Sequence, residues 1–394
     1  MTASAAPRGR VRRLWRTRRS RRLIIQALLG AVALLLLSYF LARASELDLS
    51  LGFLSSPAGF GLANEWAVSH SSTESRISAY LIGVWNTVRL ITLSIAFATI
   101  LGVIAGVARL SSNWIVNRLG LVYVETIRNT PLLVQIIFWW VAVFLTMPAV
   151  SERRTLFDLV WFSNRGIAIP WPRATNDFAA LWAVSLVGAL AIALWVRHRR
   201  IAREDATGEV TRANRWAVAV FIGIAAATFL ATGLPYRIVV PEILLSGVNI
   251  QRFGGGLLVT PQFAAVFIAL TTYTGAFIAE IVRGSIQALP PGQTEAAQAL
   301  GFSPYQRMTL ITLPQALRIM IPALTNQYLN LTKNSSLAIV VGYSELFFVG
   351  IIIVNNAGHA VPMFALIIVT YQAMSLLISL GMNYLNRRVR LASV

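Results

Sequence analysis

The chain of 394 residues has no cysteine, a single lysine, three histidines and only 15 acidic residues. Without cysteine there can be no disulfide, no thiolate metal ligand and no thiol nucleophile. The lone lysine, Lys333, does not follow a glycine loop, so the GxxxxGK(S/T) motif that cradles nucleotide phosphates is missing. His70, His198 and His359 lie far apart without ligand spacing; they are expected in solvated loops, and no metal site is expected. Charge is sparse as well. Charged residues make up 12% of the chain against 56% hydrophobic ones, and the mean hydropathy is +0.66. That is too apolar for an ordinary soluble domain and puts the chain in a bilayer.

Long apolar runs are what the chain does have. A span of the ~30 Å hydrocarbon core takes about 20 residues. Runs of that order lie near Leu23 to Ala42, Val84 to Ala108, Leu121 to Thr146, Phe178 to Val196, Trp216 to Gly233, Phe263 to Val282, Ile319 to Val349 and Val361 to Leu385. The expectation is an all-α polytopic membrane protein of about eight helices.

The net charge of +19 would suggest nucleic acid if it were spread over a soluble surface. Here it is clustered, and the clusters mark sidedness. Nine arginines between Arg8 and Arg22 precede the first run, six more (Arg197, Arg199, Arg200, Arg203, Arg212, Arg215) join the fourth and fifth, and Arg387, Arg388 and Arg390 close the chain. Eight crossings put all three clusters on one side, which the positive-inside rule makes cytoplasmic together with both termini. The loop from Pro148 to Pro172 then falls outside despite Arg153, Arg154 and Arg165. Ser20-Arg21-Arg22 resembles a twin-arginine export signal and Ala42-Arg43-Ala44 a cleavage site. A leader's apolar stretch is about 7 to 15 residues, however, so the longer first run is expected to stay as an anchor.

One polar segment is stranded between apolar runs. Pro290 and Pro291 can open a helix, Ala296, Ala297 and Ala299 favour it, and Gly301 supplies the positive φ that closes it. Ser303 can cap a second helix with Pro304 at its first position. The result is a short polar helix pair, as a docking surface for another protein requires.

The spacing Glu295-Ala296-Ala297, three residues, Gly301, nine residues, Ile311, one residue, Leu313-Pro314 resembles the coupling motif of permease subunits of ABC importers. Thr130 to Gln135, Glu280 to Ile286 and Lys333 to Leu337 resemble blocks of the polar and general L-amino acid branch, with Asn129 and Asn334 as departures from it. The resemblance runs from about Tyr80 to Arg390, with a gap over 148–262. It implies a five-helix type I importer core in 80–147 and 263–394. Segments 1–22 and 23–79, and an insert at 148–262 carrying two helices and periplasmic loops, are additions. It further implies that Gln293, Glu295, Ala296, Ala297, Gly301, Leu313 and Pro314, within a cytoplasmic loop at 283–318, couple to a separate dimeric ATPase that binds ATP and Mg. A second homologous permease and a periplasmic amino-acid-binding protein are the other implied partners, in the bacterial inner membrane. This chain itself is then no enzyme and binds no cofactor. Ion-coupled secondary transporters show matched broken helices in paired halves, and no such duplication is visible. A channel or sensor would leave the polar helix pair without a purpose.

Two interruptions mark a candidate path. From Pro322, Lys333 lies about 16 Å along its helix, near mid-bilayer. An ammonium there costs roughly 2.5 kcal/mol or more, so it should line a water or protein path. Gln327, Asn334, Ser335 and Ser336 accompany it, and Gln135 comes from the first half. The alternative is that Lys333 braces helices by pairing with Glu280 or Glu345. In the third run Pro131 should kink the helix or restart it, freeing the Ile127 carbonyl, with Thr130 as the cap. Gly102, Gly106, Gly342, Gly350 and Gly381 are expected at close helix contacts.

Overall fold

The computed structural model describes residues 50–66, 68–246 and 250–391, with scattered positions of a helix between 25 and 39. The N-terminal arginine cluster, the twin-arginine and cleavage patterns and much of the first run lie outside the described residues. The rest is mostly helical, with short antiparallel strands that an all-α reading leaves out.

A small hairpin, β1 (Leu62–Glu65) and β2 (Val68–His70), precedes α1 (Arg76–Ala108). The Ser75 hydroxyl caps α1 by accepting from the Ser78 amide. Asn113 then caps α2 (Trp114–Arg128), accepting from the Ile115 and Val116 amides. The third apolar run is therefore not one straight helix. It holds most of α2 and, after a bend of 100°, α3 (Leu132–Phe138), which continues as a π-helical turn over Trp139–Phe144.

In 148–262 come β3 (Arg154–Leu156), β4 (Val160–Ser163), β5 (Gly166–Ile169) and β6 (Trp171–Ala174), the helical hairpin α4 (Ala179–Thr207) and α5 (Ala213–Ala231), and then β7 (Tyr236–Val239), β8 (Glu242–Ser246), β9 (Ile250–Gly254) and β10 (Leu257–Val259). The order β10-β5-β4-β3 makes one sheet, and β6 with β7 ties together the two feet of the helical hairpin. The strands gather at the end where α6 (Pro261–Gln287) begins, capped by Thr260 with Pro261 in its first turn. At the other end of α6 lie the short helices α7 (Pro291–Ala299) and α8 (Pro304–Arg307), a π-helical turn, and α9 (Leu313–Asn334). A 3-10 segment, Ser335–Val341, leads to α10 (Leu346–Ala357), and α11 (Ala360–Leu391) starts near the strand end, with Met363 packed against Phe53 and Tyr80, and runs back toward the α7–α8 end, with Met382 packed near Leu289 and Ala316.

Six helices are long and apolar enough to cross a membrane, seven if the bent pair counts as one span, among the described residues. Eight are thus not all seen, and the seventh apolar run is split between α9, the 3-10 segment and α10.

The core forms where α1 and α6 run side by side, parallel and in backbone contact. A Cβ at Gly102 would come within 2.5 Å of Ile278, and one at Gly106 within 2.7 Å of the Ala279 carbonyl. Small residues permit that approach, and lipid offers no better packing for the buried faces. Gly350 meets Ile367 in the same way. Gly381 faces open space, and Gly342, at φ 71, closes the 3-10 segment instead of packing inside a helix. Around this pair, Ala98, Ile278, Val282, Ala316, Met320 and Tyr328 join α9 to the core, while Phe53, Tyr80, Leu346, Ile353 and Met363 join α10 and α11 to it. His70 is buried against the Ser75 carbonyl (Nε2 to O 3.1 Å) and His359 stacks on Phe53 at 4.6 Å. His198 is exposed as expected but lies on the arginine-rich end of α4, His359 lies in the expected loop but is half-buried, and only His70, buried in β2, departs from the expectation in both respects.

Candidate functional site

The polar helix pair is built as its residue types require. Pro290 stands at the N-cap of α7, with Pro291 in its first turn. At the far end the Gly301 amide donates to the Gln298 carbonyl and the Phe302 amide to the Ala297 carbonyl, both at 3.0 Å, with Gly301 at φ 81. That is the paired bonding of a glycine-closed helix end. Ser303 and Gln306 then exchange reciprocal side-chain to backbone bonds that start α8. Arg307 Nη1 donates to Gln298 Oε1 at 2.9 Å, and the Gln315 amide donates to Gln293, so both short helices are pinned to each other and to the foot of α9. Pro314 sits in the first turn of α9 beside the partly exposed Leu313.

What this pair presents to solvent decides its use. Gln293, Glu295, Ala296 and Gly301 are exposed, whereas the Ala297 side chain is turned inward and 2% exposed. Leu300 is 76% and Tyr305 77% exposed. Two large apolar side chains left that bare, inside a rigid polar frame, are what a docking patch offers.

One ion-pair cluster joins the ends of α1 and α6 just before the chain enters this pair. Glu280, on the last turns of α6, accepts from Arg109 at the end of α1 and from Arg283, whose Nε lies 3.1 Å from Oε1. Arg283 also donates to Gln287, the last residue of α6. Glu345, for its part, is fully buried and caps α10, accepting from the Phe347 and Phe348 amides and from the Tyr371 hydroxyl. Neither glutamate pairs with Lys333. The bracing alternative is corrected by both: each carboxylate is already committed, and among the described residues Lys333 has no ion-pair partner.

Lys333 is exposed, one residue from the end of α9. Asn326, Asn330 and Lys333 stand at i, i+4 and i+7, and all three are exposed, so they form one polar stripe along a helix of membrane-crossing length. The helix ends there because Ser335 donates back to the Thr332 carbonyl (2.7 Å) and Ser336 to the Lys333 carbonyl (2.8 Å). These hydroxyls are spent on the backbone. Gln327 and Asn334 stay half-buried, with no side-chain hydrogen bond among the described residues. Asn326 escaped the sequence reading, although its spacing from Lys333 was there to be counted.

Gln135 belongs elsewhere. It is buried, and its amide donates to the Ile127 carbonyl (2.9 Å) and the Thr130 carbonyl (3.0 Å), clasping α2 to α3 across the bend. Thr130 does not cap α3; its hydroxyl donates back to Thr126 on α2, and Pro131 takes the cap position without a side-chain bond. At the strand end Arg89, a basic residue inside the second run that sequence reasoning passed over, stacks 4.6 Å over Trp66 and donates to Asn86 at 2.8 Å.

Residues 218–391 match the family described as the inner membrane component of binding-protein-dependent transport systems. The general L-amino acid transport system permease protein AapQ of Rhizobium johnstonii is 39% identical over 89% of this chain and 86% of its own. The chain belongs to this permease family. A putative amino-acid ABC transporter permease protein, YhdX of Escherichia coli, is 38% identical over 86% of this chain and 84% of its own. The glutamate/glutamine/aspartate/asparagine transport system permease protein BztB of Rhodobacter capsulatus is 36% identical over 92% of this chain and 91% of its own. The likeness to these relatives thus extends over most of the permease and not only over residues 218–391. It is a multi-pass inner-membrane transport component, and its exposed helix pair lies within the family's matched segment.

Proposed function

We propose that this permease forms half of the translocation path of an ATP-driven importer for polar L-amino acids, with ATP hydrolysed on a separate ATPase pair. The observation that carries the reading is the helix pair of α7 and α8, which exposes Leu300 and Tyr305 and is tied to the foot of α9 through the Gln315–Gln293 bond. Nucleotide-driven closure of the ATPase pair pulls on this patch, and the Arg109–Glu280 contact passes the movement to α1 and α6. By likeness to relatives named for amino acids, the cargo is an amino acid delivered by a periplasmic binding protein.

The polar stripe of α9 supports a path completed by a second permease. A stripe of Asn326, Asn330 and Lys333 facing lipid is unfavourable, since ionisable groups at depth turn toward protein or water. Facing a second subunit across a solvated cleft, Lys333 can receive a carboxylate while the two asparagines hydrogen-bond the rest of the solute. Proteoliposomes holding the permease, its ATPase and its binding protein test this by uptake of labelled L-glutamine, with each of the other amino acids as competitor. Competition by the polar amino acids, and none by sugars or peptides, supports the reading; uptake of another solute class overturns it.

A further inference from the structure

The helical hairpin of α4 and α5 leans on little but itself: the two helices pack together, and β6 with β7 closes their feet. Val184, Val187, Val218 and Ile222 are each between 57% and 69% exposed, so acyl chains must cover them. At the turn of the hairpin, on the end away from the strands, the apolar surface stops at a basic belt. Trp195 and Trp216 are about half exposed there, with the Arg199 guanidinium 5.2 Å from the first ring and that of Arg200 4.3 Å from the second. Tryptophans with an apolar body and a polar rim mark the level of lipid headgroups.

Between the two helix ends lies a cavity of about 540 Å3, lined among others by Arg197, Glu204, Val210, Arg212, Asn214 and Arg215. Its charges do not balance. Glu204 is the one carboxylate, and its Oε1 already accepts from the Thr211 amide. Arg197 Nε donates to Asn214, which leaves its terminal nitrogens free, and neither Arg212 nor Arg215 has a side-chain hydrogen bond or ion pair among the described residues. Arg212 is moreover held at φ 49, a left-handed conformation that a residue with a side chain adopts at a cost.

We propose that this cavity seats the phosphate of an anionic glycerophospholipid, with its acyl chains along the bare flanks of α4 and α5. Three guanidiniums around one occupied carboxylate call for an anion, and the tryptophan belt with apolar flanks on both sides calls for one that carries hydrocarbon. A soluble phosphate would satisfy the first demand and ignore the second.

The full-length permease complex, placed in nanodiscs of phosphatidylcholine doped with phosphatidylglycerol and then analysed by native mass spectrometry, reads the bound lipid directly. Wild type should retain phosphatidylglycerol preferentially, and an excess of inorganic phosphate should not displace it. Arg212→Gln with Arg215→Gln should lower that preference roughly tenfold or more. Arg212→Lys with Arg215→Lys should largely keep it and shows that the hairpin still folds. Arg173→Gln with Arg237→Gln removes the same charge from the strand end and should change nothing. Equal retention in the wild type and the glutamine pair, equal loss in the strand-end control, or displacement by phosphate overturns the proposal. So does unchanged lipid binding with loss of the ATPase on co-purification, which would make the cavity a protein contact.

Discussion

Gly301→Asp separates the docking role of the α7–α8 pair from its folding. Gly301 sits at φ 81, so any side chain there costs about 1–2 kcal/mol. A Cβ at this position meets nothing within 4 Å, so no steric cost is added and the helix pair should persist in the isolated permease. The carboxylate then points out of the exposed corner between α7 and α8. Buried without a partner in a protein groove, it loses at least 1–3 kcal/mol, which at the upper end is roughly a hundredfold in affinity. Gly301→Ala carries the backbone cost alone. The assay is the affinity of purified ATPase for each detergent-solubilised variant, with thermal unfolding as the folding control. Both variants should unfold within a few degrees of each other; the alanine variant should bind the ATPase nearly as wild type does, and the aspartate variant should have lost most binding and uptake. Equal behaviour of the two variants, or normal coupling with aspartate, would refute the docking argument.

Lys333→Met removes a cation with no ion-pair partner among the described residues, so the thermal midpoint should hold or rise while glutamine uptake falls about tenfold or more; a fall in the midpoint with unchanged uptake would make the lysine structural. Gln135→Leu withdraws two hydrogen bonds from carbonyls at the 100° bend and should cost about 2 kcal/mol in thermal unfolding, with no change in cargo selectivity. Gly102→Leu should wedge α1 from α6 and deplete the protein from the membrane, since overpacking costs ~1–3 kcal/mol even where neighbours can yield, whereas Gly381→Leu, in open space, should be neutral by immunoblot of membranes. Reporter fusions after Arg203 and near Pro241 should read cytoplasmic and external respectively; an external Arg203 would invert the insert.

The docking pair was legible in the sequence because its signals are local. Prolines, a positive-φ glycine and a capping serine act within a turn or two, and each does in the structure what its chemistry dictates, although the Gln306 half of the Ser303 box was not read. The long apolar helices were legible from run length alone. Partnerships across the chain were not. Gln135 reads as a polar residue inside an apolar run, but which carbonyls it clasps depends on a 100° bend that periodicity does not encode. Glu280 and Glu345 were the alternative partners for Lys333, whereas one meets Arg109 brought up by α1 and Arg283 of its own helix, and the other caps a helix start of its own. The strands of the insert escaped notice because they are only 3–5 residues long and fall between apolar helices. The stripe of Asn326, Asn330 and Lys333 was countable from the sequence, yet only the structure shows that it is exposed.

The most direct test of the central claim is the energy source of uptake in proteoliposomes that hold the permease with its ATPase and binding protein. Labelled glutamine should accumulate only with ATP and binding protein on their proper sides, continue when proton and sodium gradients are collapsed by ionophores, and stop when the ATPase carries an inactive catalytic site. Uptake that persists without ATP and follows an imposed ion gradient would contradict the account.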